Sequence, residues 1–218
     1  MSDLAKIILT FLLTGGVGVY ISFLFQKRNA QIQIYFKVYE KKATELKEVR
    51  VLFEKLSSDR LYRATSLLTS ISECRITDKE RDDYRNSVSE WNKSINFIFI
   101  ELNNYKLFGT ANRIEKLVHD RFKNIHSFIS SCIDNKEGNC ISDVNNAFYL
   151  IHELVVSANE ISASISSKLD EYLENIANAD GVPMEANNLQ YASTLTLLIA
   201  IFHPHPHRLR ISRSRFNR

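Results

Sequence analysis

With 218 residues and a formal net charge of +3, the chain can hold one ordinary domain with a real core, not two large lobes. Residues 203–218 carry five arginines and no acid; without them residues 1–202 sum to −2, which excludes a basic nucleic-acid-binding body. Only three Pro and six Gly occur, and Gly15, Gly16 and Gly18 account for half of the glycines, so the remainder is nearly free of helix breakers and predicts an all-α fold.

In chain order, the first feature is Ile7–Phe25, nineteen residues without a charge, stopped by Lys27 and Arg28. At about 1.5 Å per residue this run approaches the ~30 Å hydrocarbon core of a bilayer, so residues 1–28 are expected to be a transmembrane anchor. A cleaved signal peptide fits less well, because the run is long, the basic segment before it is weak and no small-x-small site precedes Gln26. Lys6 stands alone before the run, whereas Lys27, Arg28, Lys37, Lys41 and Lys42 follow it, an asymmetry that places the bulk of the chain in the cytoplasm. Thr14, Gly18 and Ser22 recur every fourth residue, with Thr10 extending the ridge. Small residues at that spacing allow close helix approach and self-association in lipid, although they are also common in membrane helices generally.

Residues 29–177 are expected to form an antiparallel bundle of about four long helices. The first, Asn29 to about Arg75, aligns Leu46, Val49, Phe53, Leu56, Ala64, Leu67 and Ile71 on one face. Thr77 and Glu80 form a capping-box pattern that opens a second helix, with Tyr84, Val88, Trp91, Ile95, Ile98, Leu102 and Tyr105 as its seam and Gly109 as its stop. A third, from about Thr110 to Ile133, aligns Ile114, Leu117, Val118, Ile125, Phe128, Ile129 and Cys132. After a turn over Asp134–Asn139, a fourth runs from about Ser142 to Ala177, with Val144, Phe148, Ile151, Val155, Ala158, Ile165, Leu169, Leu173 and Ile176. Mutual burial of these stripes is what offsets the entropy of ordering them.

Residues 178–218 change character. The apolar stretch 191–202 is too short to span a bilayer, and the last sixteen residues are expected to be disordered. His203, His205 and His207 alternate with prolines; an extended Pro-rich strand turns about 120° per residue, so no metal site is expected there. Arg208, Arg210, Arg213, Arg215 and Arg218 suit either a solvated tail or contact with anionic headgroups. Cys74, Cys132 and Cys140 lack metal-ligand spacing and are expected to be reduced. Neither a nucleophile motif nor a phosphate-cradling glycine loop occurs, so no cofactor and no catalysis are expected.

Two arginines interrupt the apolar stripes: Arg60 on the first helix and Arg121 on the third. Either they bend outward and cover apolar neighbours with their stems, or they form a buried polar layer or an Arg-lined cavity for an anion. No seam position is acidic, so a partner would be flanking Glu101 or Asp120 reaching across, or carbonyls at a helix end.

The segments Phe25-Gln26-Lys27-Arg28-Asn29, Asp59-Arg60-Leu61-Tyr62-Arg63, Tyr84-Arg85, Trp91-Asn92 and Phe108-Gly109 resemble a group of uncharacterised bacterial inner-membrane proteins with one N-terminal span and a cytoplasmic helical region. The resemblance covers roughly residues 10–135. It implies a bacterial inner-membrane protein with its N-terminus outside, and a shared structural or binding role for Arg60, Tyr62, Arg63, Trp91 and Asn92. The expected function is a non-enzymatic interaction module (adaptor, assembly factor or sensor) whose partners are membrane lipid and another protein or a second copy, not nucleic acid. The alternative is a membrane-perturbing effector of a defence or toxin system; an enzyme would need a cavity holding both Arg60 and Arg121.

Overall fold

The computed structural model describes residues 3–11, 15–134, 141–177, 181–202, 204 and 209–211. The chain is helical: α1 (Asp3–Phe11), α2 (Val17–Ser72), α3 (Asp78–Asn104), α4 (Phe108–Arg113), a π-helical stretch Ile114–His119, α5 (Asp120–Asp134), α6 (Ile141–Ala177) and α7 (Thr194–Phe202). It divides into two compact units, Ala43–Glu171 and the segments Met1–Lys42 with Tyr172–Arg218.

Ala43–Glu171 is a four-helix bundle, and its polar cross-links fix the directions. Tyr105 Oη donates to Glu45 Oε2 at 2.7 Å, Arg63 Nη1 meets Asp83 Oδ2 at 2.8 Å and Ser70 Oγ donates to Glu80 Oε1 at 2.6 Å, so α3 runs antiparallel to α2. Trp91–His119 and Tyr84–His126 set the α4–α5 rod antiparallel to α3. Arg113–Glu160 and Thr110–Ser164 set α6 antiparallel to that rod, and Arg50 with Ser162 and Ser166 closes α6 back on α2. The inward positions are apolar and closed: Leu46, Phe53, Leu67, Trp91, Ile98, Leu102, Ile114, Phe122, Ile125, Ile129 and Leu154 are all fully buried. Each such residue contributes about 1.5–3 kcal/mol by leaving water.

The capping box is formed as expected: the Thr77 side chain accepts from Glu80 N–H, and Glu80 Oε2 accepts from Thr77 N–H at 2.9 Å. Hydrogen bonds from Ser70 and Thr77 hold the Glu80 carboxyl at about 2, below its ordinary 4.5. A depressed carboxyl stabilises the fold above its unfolded pKa and loses that contribution as protons bind. Wild-type stability is therefore expected to fall between pH 4.5 and about 2 more steeply than that of Glu80→Gln, measured by urea melts across that range.

Gly109 is not the stop expected for the second helix; it lies inside α4. The helix ends earlier, in a Schellman-type closure with Lys106 at φ 60°, Leu107 N–H bonding to Leu102 O and Lys106 N–H to Asn103 O. Cys74, at φ 54°, ends α2 in the same way, with Arg75 N–H on Ser70 O. Both caps use a residue other than glycine in the left-handed region, so sequence carries no stop signal at either.

On α6 the buried set is Val144, Ala147, Ile151, Leu154, Ala158, Ile161, Ile165 and Tyr172, while Val155 and Leu173 are exposed. This is a three-four alternation, the seam of helices packed nearly parallel or antiparallel, and a straight 100° stripe drifts off it over ten turns.

The expected span Ile7–Phe25 is described only in part. α1 ends at Phe11, residues 12–14 lie outside the described set, Gly15–Gly16 are π-helical and α2 begins at Val17. Among the described residues no helix is long and apolar enough to cross a membrane.

Within this same unit, the Tyr39 ring lies tilted on Tyr35 with centroids 4.4 Å apart and meets Tyr172 edge-on at 5.8 Å. Within the tail expected to be disordered, Arg210–Ile211 pairs antiparallel with Val182–Pro183 and Ile211 is buried. Gly181, at φ 106°, makes this possible, since a Cβ there would lie 2.5 Å from Ile211 O. His203, His205 and His207, with Arg208, Arg213, Arg215 and Arg218, fall outside the described residues, as does Cys140.

Candidate functional site

The polar centre of the bundle is Arg60. It occupies a seam position of α2 and is only 2% exposed, so the inward reading of this residue holds and the outward one fails. Its guanidinium lies 4.3 Å from the centroid of Phe122 and 5.8 Å from that of Trp91, and Nη2 donates to Phe122 O at 3.4 Å. Nε and Nη1 are buried without a hydrogen-bond partner among the described residues. No carboxylate faces it; burial lowers its pKa to about 10, and the Tyr84 hydroxyl is the group that favours its charge. Aromatic faces supply part of the missing counter-charge through their quadrupoles.

Around Arg60 stand two histidine relays. Trp91 Nε1–H donates to His119 Nδ1 at 3.0 Å, so the neutral His119 carries its proton on Nε2. The π-helical stretch ends on His119, whose ring lies nearly coplanar with Trp91 at its Nε1 edge, 16° between planes and 6.5 Å between centroids. His126 Nδ1 lies 3.3 Å from Tyr84 Oη. Which of the two donates depends on the His126 tautomer. Burial raises Tyr84 to about 12.

Burial lowers the pKa of both histidines; beyond it, Lys123 and Arg60 disfavour the charge of His119, and Arg60 that of His126. A histidine with a depressed folded pKa stabilises the fold above its unfolded value, 6.5, and loses that contribution as pH falls through the folded value. Bundle stability is thus expected to decline on acidification below pH 6.5, and His119→Gln with His126→Gln to flatten that slope in urea melts.

The other predicted residues scatter. Arg121 does not join Arg60: Nη1 donates to Ser157 Oγ at 2.9 Å and to Glu153 O at 3.2 Å, and Nη2 pairs with Glu153 Oε2 at 3.4 Å. Its acid is on α6, neither Glu101 nor Asp120. Arg63 pairs with Asp83 and lies 5.5 Å from the ring of exposed Tyr62. Asn92 is exposed and lines a groove between α3 and α5 of about 630 Å³, with Arg85, Val88, Ser89, Lys93, His126 and Ser130. Gly18 and Ser22 are exposed on α2; Thr14 lies outside the described residues. Cys74 is an exposed free thiol and Cys132 is buried. Among the described residues no cluster of His, Cys, Asp and Glu is arranged to hold a metal. His119, His126 and Phe122 were not legible as site residues, because periodicity identifies a face and not a partner.

Compared with known proteins, the chain matches no family model, no curated protein and no solved structure.

Proposed function

We propose that the chain is a single-pass, non-enzymatic interaction module of the bacterial inner membrane, anchored near its N-terminus, whose cytoplasmic Ala43–Glu171 bundle binds a protein partner or a second copy. The observation that supports this is the contrast between the units. The bundle buries its own seams, whereas Ile7, Ile8, Leu9, Phe11, Val19 and Phe23 all stand exposed within the uncharged run. Apolar surface left in water costs about 25 cal/mol per Å², so exposed apolar side chains in this number call for lipid or another chain. Membrane association would come from this segment, and self-association from the Thr14, Gly18 and Ser22 ridge.

A reporter fused after Ala177 tests the topology: a cytoplasmic reporter is expected to be active there, and activity of a periplasmic one would contradict the orientation. The second reading, a membrane-perturbing effector, draws on α7, where Leu195, Leu198, Ile199 and Ile201 are exposed. Overexpression that depolarises the membrane and arrests growth, relieved by Gly18→Ile, favours the effector. Harmless expression with a co-purifying protein favours the adaptor.

A further inference from the structure

We propose that the groove between α3 and α5 binds a phosphate-type oxyanion, with Arg85, Lys93 and His126 as its principal donors. Every lining side chain except Val88 can donate a hydrogen bond, and no carboxylate lines the groove. Ser89, Asn92 and Lys93 follow Arg85 at helical spacings on α3, and Ser130 lies one turn after His126 on α5, so donors from two helices converge on one concavity. Arg85 is held only by a solvent-exposed pair with Asp82 at 3.7 Å, which a stronger oxyanion readily displaces.

A second observation comes from beneath the groove. Arg60 is a buried cation with two nitrogens, Nε and Nη1, unpartnered among the described residues, and Tyr84 connects it to His126, which lines the groove. The contact with Tyr84 engages His126 through Nδ1. Arg60 also leaves an uncompensated positive field behind the histidine, which an anion in the groove would offset. All of these residues belong to the Ala43–Glu171 bundle, so the inference stands or falls independently of membrane anchoring.

The test is histidine NMR on the full-length chain, labelled with nitrogen-15 at histidine and held in detergent micelles, titrated with inorganic phosphate against chloride at matched ionic strength. His126 is expected to move its titration midpoint upward by about half a pH unit or more, because a nearby anion favours imidazolium. Exposed His152 on α6 serves as the internal reference and is expected to stay in place. Arg85→Ala with Lys93→Ala is expected to weaken the response at least about tenfold. Both residues are exposed on α3, and Lys93→Gln with a far-UV circular-dichroism control covers any loss of folding. Response to free phosphate indicates a soluble phosphorylated compound; response only to nanodiscs bearing phosphatidic acid indicates a lipid headgroup. No response to either, an equal shift of His152, or a response that survives in the folded double variant overturns the proposal.

Discussion

Trp91→Ala is expected to destabilise the bundle by about 3–5 kcal/mol, the range for removing a fully buried large aromatic from a packed core. Trp91 has no exposed surface. It meets Phe122 edge-on at 4.9 Å and Phe53 at 6.3 Å, donates to His119, and lies 5.8 Å from the Arg60 guanidinium. Alanine would remove packing between three helices, leave His119 Nδ1 without its donor and take away one of the two faces that solvate Arg60. Trp91 is the only tryptophan, so the measurement is urea unfolding followed by far-UV circular dichroism. With a slope of about 1–3 kcal/mol per molar urea, the midpoint should drop by more than about 1 M. Asn92→Ala, at the exposed neighbouring position, should change stability by less than about 0.5 kcal/mol. A loss under about 1 kcal/mol for Trp91→Ala would mean the ring does not sit at the centre of the core.

The opposite sign is expected for Arg60→Met: a gain of about 1–3 kcal/mol. A buried cation without an ionic partner retains most of its desolvation cost, and apolar replacements of similar volume at buried ionic sites are neutral to stabilising. Arg60 recovers part of that cost from Phe122 O and two aromatic faces, but Nε and Nη1 recover nothing from the protein, and each unmet donor costs about 1–3 kcal/mol. Methionine keeps the stem and fills irregular space. Arg60→Ala, which leaves a void, should not share the gain. The pKa of His126 and His119 should also rise in Arg60→Met, because the charge that depresses both is gone. Destabilisation by more than about 1 kcal/mol would show that the guanidinium is satisfied in solution. A residue that costs stability at the centre of a mainly apolar seam is where function is expected to be stored.

How far the fold could be read from residues differed by element. The capping box was legible because Thr77 and Glu80 satisfy each other's backbone within four residues, and no tertiary contact decides it. The α2 and α3 seams were legible for the same local reason. On α6 the eye follows 3.6 residues per turn, whereas burial follows the partner helices; Val155 and Leu173 were assigned inward and Leu154, Ile161 and Tyr172 missed. Gly109 drew the helix stop to itself because left-handed closure usually needs glycine, and Lys106 takes that conformation two residues before α4 starts. The position of Arg60 on the apolar face was visible, but its burial depends on Trp91 and Phe122 from two other helices. Nothing in the local pattern predicts the π-helical stretch that ends on His119.

Residence of Ile7–Phe25 in lipid, as proposed above, is tested directly by the fate of the intact chain when cells are broken without detergent and ultracentrifuged. The full-length protein is predicted in the membrane pellet, resistant to alkaline carbonate and released by detergent. Recovery of the same chain in the supernatant, with its first residues verified by mass spectrometry, would contradict the claim.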